Sequence, residues 1–122
     1  MSLLSRGQLL QPFHFLGHIF ENLVFIECLK AQLNRGKVAD LYFFRDSNGN
    51  EVDILYQDGR DLVAIEIKSS STISSSQFKG LKVFQDLSSD VKKSYLIYNG
   101  IEQSRSNGIN VMNYKNVDKI FK

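Results

Sequence analysis

The chain has 122 residues, a formal net charge of +2, and 43% hydrophobic and 23% charged residues. These values suit one soluble globular domain, and the small net charge alone gives no argument for nucleic-acid binding. The single cysteine, Cys28, excludes an internal disulfide, and the absence of a membrane-length apolar run and of a signal-peptide pattern predicts a cytoplasmic domain without a membrane partner.

The first part of the chain is predicted to hold a linker and one long helix. Residues 1–15 show no sustained apolar period, and we interpret them as a linker or the remnant of an upstream region, with the domain itself at 16–122. Apolar residues near the 3.6-residue period predict a helix over about 17–34, which Gly36 ends. Its predicted apolar stripe comprises Leu16, Ile19, Phe20, Leu23, Val24, Ile26 and Leu29.

A three-strand meander is predicted to follow the helix. Residues 39–45, 51–56 and 62–68 are rich in the aliphatic and aromatic residues that are typical of strands. Asn-Gly and Asp-Gly pairs stand between them, and these pairs favour tight hairpin turns. We therefore expect three consecutive antiparallel strands.

The second half of the chain is predicted to add a helix, two strands and a short closing helix. The serine-rich stretch 69–77 is interpreted as a flexible loop, one of whose serines caps a helix over about 76–87. A strand at 94–98, a polar loop at 102–108, a strand at 109–112 and a short helix at 116–121 follow. The helix 76–87 is expected to bury Phe78, Leu81, Phe84 and Leu87.

Two carboxylates and a lysine are predicted to share one face of this sheet. Successive strand side chains point to opposite faces, so Glu66 and Lys68 point away from Ile65 and Ile67. The hairpin brings Asp53 of the preceding strand to the same face. Hard oxygen ligands beside a cation are suited to Mg²⁺ binding and phosphoryl chemistry.

The order of these elements and of the charged residues resembles the PD-(D/E)XK nucleases. That superfamily has an α-β-β-β-α-β core with an Asp on the second strand and Glu-X-Lys on the third, where this chain has Asp53 and Glu66-Ile67-Lys68. Some branches, such as archaeal Holliday-junction resolvases, add a glutamate on the first helix, where Glu21 stands. The resemblance implies an α/β, restriction-endonuclease-like fold, with a mixed sheet flanked by helices.

A second resemblance covers the chain from about residue 16 onward. The sequence looks like the C-terminal domain of unknown function that a group of prokaryotic AAA+ ATPases carries. This resemblance implies an AAA+ ATPase domain upstream in the full-length protein, and no Gly-rich Walker A segment occurs in this chain. The motifs that carry it are Gly17-His18-Ile19-Phe20-Glu21-Asn22, Tyr42-Phe43-Phe44-Arg45, Asn50-Glu51-Val52-Asp53-Ile54, Ile65-Glu66-Ile67-Lys68-Ser69-Ser70, Phe78-Lys79-Gly80-Leu81 and Tyr95-Leu96-Ile97-Tyr98.

The nuclease resemblance implies a role for each residue of the predicted site. Asp53, Glu66 and the backbone carbonyl of Ile67 would hold Mg²⁺, with Mn²⁺ as a substitute. Lys68 would position the attacking water or steady charge on the phosphate, and Glu21 would orient a water or join a second ion. The implied function is metal-dependent cleavage of a phosphodiester in DNA.

Other interpretations of these residues stay open at the level of sequence. Glu66 and Lys68 also fit the solvent-facing side of an amphipathic sheet, in which case the domain is a non-catalytic module that binds DNA or a protein or docks on the ATPase. A partner-recognition domain in a toxin–antitoxin-like or defence setting is a third interpretation.

Structural roles outside the site are expected for several further residues. These are surface positions for Glu51, Lys79, Lys82, His14 and His18, and core or sheet packing for Cys28, Tyr42, Phe43 and Phe44.

Overall fold

The computed structural model describes residues 19–36, 41–106 and 108–121. The predicted linker at 1–15, both histidines and the first residues of the predicted first helix lie outside this range. The elements in chain order are α1 (Ile19–Leu33), β1 (Leu41–Arg45), β2 (Glu51–Asp58), β3 (Asp61–Ile67), a 3₁₀ turn (Ser75–Phe78), α2 (Lys79–Leu87), β4 (Val91–Tyr98), β5 (Gln103–Ser106), β6 (Ile109–Asn113) and a closing 3₁₀ segment (Tyr114–Phe121).

The described strands form one mixed sheet in the order β1-β2-β3-β4-β6-β5. The predicted meander is present, because β1 pairs antiparallel with β2 and β2 with β3. The chain then crosses over through α2, so that β4 runs parallel to β3 and β6 runs parallel to β4. The expectation of an α/β fold with a mixed sheet between helices is confirmed at this level.

Two hydrophobic cores lie on opposite faces of the sheet. On one face, α1 and the closing 3₁₀ segment cover what we call the α1-side core; on the other, α2 covers the α2-side core. The alternation expected for β3 is confirmed, since Val63, Ile65 and Ile67 belong to the α1-side core and Leu62 and Ala64 to the α2-side core. The sheet is therefore the middle layer of a three-layer domain.

Helix α1 buries only part of the predicted stripe. Val24 is buried, and Phe20 and Leu29 pack against the α1-side core, as predicted. Ile19 and Leu23 are 67% and 58% exposed, so the prediction was wrong for them, because α1 carries apolar residues around most of its circumference and periodicity does not single out one face. None of the helices in the described residues has the length and apolarity required to span a membrane.

Several boundaries in the second half of the chain differ from the prediction. The expected loop at 102–108 contains β5, whose polar residues lack an apolar alternation and which pairs with β6 at the sheet edge. Ser74 caps a 3₁₀ turn before α2 begins, the closing helix is 3₁₀ rather than α, and β4 begins at Val91, before the predicted strand. Leu87 is 65% exposed rather than buried, because α2 ends there and the chain turns away.

Candidate functional site

Strands β2 and β3 separate at the place where the predicted site residues stand. Their ladder ends at the pair Ile54–Ile65, and its continuation would pair Val52 with Ile67. Instead, the N–H of Ile67 donates a hydrogen bond of 2.7 Å to Oδ2 of Asp53. A carboxylate thus replaces the main-chain acceptor, and the two strand ends are free to diverge.

A register shift between β1 and β2 accompanies this separation. Tyr42 pairs with Leu55 but Phe44 pairs with Val52, so two steps along β1 match three steps along β2. Such a bulge re-aims the side chains around it: Val52 joins the α2-side core although Ile54, two residues later, belongs to the α1-side core. The two-residue alternation of a regular strand therefore does not hold between Glu51 and Asp53.

Glu66 is a buried carboxyl in the sheet, not a surface residue. Its side chain faces Asp53 across the gap between β2 and β3, and the residue is only 5% exposed. Burial, reinforced by the hydrogen bond and negative charge of Asp53, raises the pKa of Glu66 to about 10. The amphipathic-sheet interpretation is wrong for this residue, because a carboxyl that only faced solvent would not be desolvated.

Lys68 stands beside Glu66 at the mouth of the site. Its Nζ lies 3.7 Å from Oε2 of Glu66, and its side chain is 36% exposed. The ammonium charge lowers the pKa of Glu66 but does not offset the larger increase that burial causes. Within the described residues, Oε1 of Glu66 is buried without a hydrogen-bond partner, so the pair leaves one carboxylate oxygen unsatisfied.

These groups line an open cleft of about 670 Å³ between α1 and the start of α2. Helix α1 contributes Glu21 to its wall, and the strand ends contribute Asp53, Glu66, Ile67 and Lys68. All residues of the predicted catalytic and metal sets therefore reach one cavity. Their proposed roles remain predictions, since shared position does not show chemistry.

The opposite wall of the cleft depends on a close helix–strand contact. Gly80, near the start of α2, packs so tightly on β2 that a Cβ there would overlap the carbonyl oxygen of Glu51. This approach brings Lys79 and Gln77 to the cleft. Lys82, three residues after Lys79 on α2, is exposed and does not line the cleft.

The β1–β2 turn shapes the rim of the cleft. The Asp46 carboxylate accepts hydrogen bonds from the N–H groups of Asn48 and Asn50, both at 2.9 Å, and from the Asn50 side chain at 3.0 Å. The bonds from Asn50 are the main reason that the pKa of Asp46 is lowered. At the rim, Arg45 pairs with Glu51 at 3.5 Å, which agrees with the surface role expected for Glu51.

The donor set of the cleft fits a divalent cation. Two carboxyls adjoin each other, and one buried oxygen of Glu66 is unpartnered in the described residues. The Lys68 N–H donates to the Ile97 oxygen on β4 at 2.8 Å, so the N–H and C=O of Ile67 point the other way, toward Asp53. The described residues contain no group of three or more His, Cys, Asp or Glu side chains arranged around a metal position.

Other residues singled out by sequence have structural roles. Cys28 is fully buried, and burial raises the pKa of its thiol to about 12, which confirms it as a core residue. Hydrogen bonds anchor the serine-rich segment at Ser70. The Asn99 N–H donates to the Ser70 carbonyl oxygen at 3.1 Å, and the Gln77 side chain donates to Ser70 Oγ at 3.3 Å. It connects β3 to the 3₁₀ turn.

Sequence reasoning missed the aromatic part of the cleft. Phe25 of α1 and Phe43 of β1 both line it and are half-buried. Phe43 was expected to pack in the core or the sheet. Alternation along β1 is regular, since Leu41 packs in the α1-side core and Phe44 in the α2-side core, but on the α1 side Phe43 lines the cleft instead of the core.

A mixed sheet covered by helices on both faces, with a carboxyl-lined cleft at the strand ends, defines this protein as an α/β domain with a candidate ligand site. The chain belongs to the family described as Domain of unknown function (DUF4143), whose model matches residues 16–117. Neither the curated proteins nor the solved structures contain a significant match to it.

Proposed function

We propose that the cleft is a divalent-cation site that hydrolyses phosphodiester bonds in DNA. The observation that carries this proposal is the Asp53–Glu66 pair at the point where β2 and β3 separate. Two adjoining carboxyls with a buried, unpartnered oxygen disfavour the cation-free protein. A bound Mg²⁺ would displace the proton that the raised pKa of Glu66 retains and would compensate the charge of both carboxylates. Residues that cost stability in this way are typically retained for function.

Each side chain has a chemical task in this proposal. Asp53, Glu66 and the Ile67 carbonyl hold the cation, which when bound would supply Lewis-acid polarisation of the phosphate. Lys68, released from Glu66, contacts the phosphate and stabilises negative charge that develops on it. Glu21 faces the same cleft from α1 and orients a water molecule.

We further propose that the domain has the PD-(D/E)XK core and serves as the C-terminal domain of an AAA+ ATPase. The element order α-β-β-β-α-β, with Asp53 on the second strand and Glu66 on the third, supports the fold assignment. The motifs of the sequence support the ATPase relationship, and the cleft would then act on DNA that the ATPase engages.

A non-catalytic binding or docking module is the second candidate. The observation that favours it is the ion pair between Lys68 and Glu66 at 3.7 Å. In such a module Lys68 would stay beside the buried carboxyl, whose raised pKa keeps it protonated and neutral at pH 7, and no cation would be needed.

Isothermal titration of Mg²⁺ and Mn²⁺ separates the two candidates. We expect wild-type protein to bind either ion and Glu66→Ala to lose binding. The matched control is Asp86→Asn, which alters an exposed carboxylate of α2 outside the cleft and should bind as wild type does. Binding should be followed by cation-dependent cleavage of branched, single-stranded or duplex DNA. Absence of cation binding by folded wild-type protein would favour the docking module.

A further inference from the structure

Phe43 is an aromatic residue that the folding of the sheet does not account for. Its neighbour Phe44 is buried in the α2-side core, and Tyr42 packs against that core. Phe43 belongs to neither hydrophobic core within the described residues. Leu41 packs in the α1-side core whereas Tyr42 and Phe44 pack on the α2-side core, so the regular alternation of β1 places Phe43 on the α1 side of the sheet. There it lines the cleft.

Aromatic and charged side chains therefore line the same cleft. The half-buried Phe43 and Phe25 line it together with Asp53, Glu66 and Lys68. An aromatic face beside a phosphate-directed site is the arrangement that single-stranded nucleic acids use, with bases stacked on rings and the backbone held by polar groups. The exposed Lys79 at the same cleft supplies positive charge for a neighbouring phosphate, whereas Arg45 is paired with Glu51.

We propose that Phe43 is a stacking platform for an unpaired base, and that the cleft takes single-stranded DNA. The proposal deepens the phosphodiester function and rests on it for the identity of the ligand. In a duplex, both faces of each base are covered by neighbouring base pairs, so a duplex cannot offer a base to the ring without unstacking. The volume of about 670 Å³ suits one or two nucleotides rather than a duplex.

The chain contains no tryptophan, so Phe43→Trp places a single indole in the cleft. Titration with a short oligothymidine in EDTA should quench its fluorescence, because stacked bases quench indole emission. The matched control is Tyr95→Trp, a half-buried residue of β4 that does not line the cleft, and it should show no quenching. In anisotropy measurements, Phe43→Leu should weaken oligothymidine binding by about tenfold, as expected for the loss of one stacked base.

The outcomes separate the stacking proposal from the hydrolytic one. Absence of quenching in a folded Phe43→Trp protein, or equal binding of a duplex of the same length, overturns the stacking platform even if the protein cleaves DNA. Quenching in EDTA without any cleavage after Mg²⁺ is added supports the platform and contradicts hydrolysis. Because Phe43→Trp retains an aromatic ring, the test does not depend on whether Phe43→Leu folds.

Discussion

The carboxylate of Asp53 accepts a hydrogen bond of 2.7 Å from the backbone N–H of Ile67. In a continued β2–β3 ladder, this N–H would pair with the main chain of Val52 instead. The Asp53 side chain therefore has two roles. It accepts the backbone N–H at the end of a buried strand, and it faces Glu66. This relationship links the local geometry of the sheet to the chemistry of the cleft, and it leads to predictions that separate structural from chemical roles.

Replacing Asp53 tests the hydrogen bond to Ile67. Asp53→Ala leaves this N–H without its acceptor, and we expect a loss of about 1–3 kcal/mol in the free energy of unfolding. Asp53→Asn keeps an acceptor oxygen and should retain most of that stability while losing cation binding. Urea denaturation of both variants measures the difference. Equal destabilisation by Ala and Asn would show that the bond to Ile67 contributes little.

Replacing Glu66 tests whether its burial costs stability. Glu66→Gln removes a desolvated carboxyl next to Asp53 and keeps its shape, so we expect the cation-free protein to gain on the order of 1 kcal/mol. The control is Glu27→Gln, an exposed residue 3.7 Å from Lys30, which should change stability by less than about 1 kcal/mol. Chemical denaturation in EDTA provides the measurement, and a clear loss of stability in Glu66→Gln would contradict the expected cost.

Gly80 is predicted to be required for the packing of α2 on β2. In Gly80→Ala the new Cβ would overlap the Glu51 carbonyl oxygen, so the helix must shift, at a cost of about 1–3 kcal/mol. Lys82→Ala, on the exposed side of the same helix, is the control and should unfold like wild type. Thermal unfolding compares them. An unchanged midpoint in Gly80→Ala would mean that α2 moves without cost.

Cys28 is predicted to make stability fall at alkaline pH. Its folded-state pKa is raised from 9.0 to about 12 by burial and by Glu27, so its contribution is complete below pH 9 and is lost as pH rises toward 12. The loss should approach about 1.4 kcal/mol per pH unit within that window. Urea denaturation at several pH values should show a steeper decline for wild type than for Cys28→Ala. Parallel curves would indicate that the thiol ionises without unfolding.

Alternation and turn chemistry in the sequence were sufficient to predict the three-strand meander, the crossover helix and the grouping of Asp53, Glu66 and Lys68. These features depend on short-range geometry, since a strand repeats every two residues and a tight turn sets the pairing of its flanking strands. The same local rules were right only in part for the helix α1, whose apolar residues point in several directions, and failed for β5, whose residues are polar.

Only the tertiary structure decided which of these side chains became buried and where the pattern breaks. The register shift between β1 and β2 places Val52 and Ile54 in two different cores, and the sequence of a single strand does not show it. Likewise, Glu66 is desolvated by elements distant in the chain, and Glu21 reaches the cleft because α1 packs across the sheet. Local sequence determines periodicity, whereas burial and register depend on contacts between elements that only the folded chain brings together.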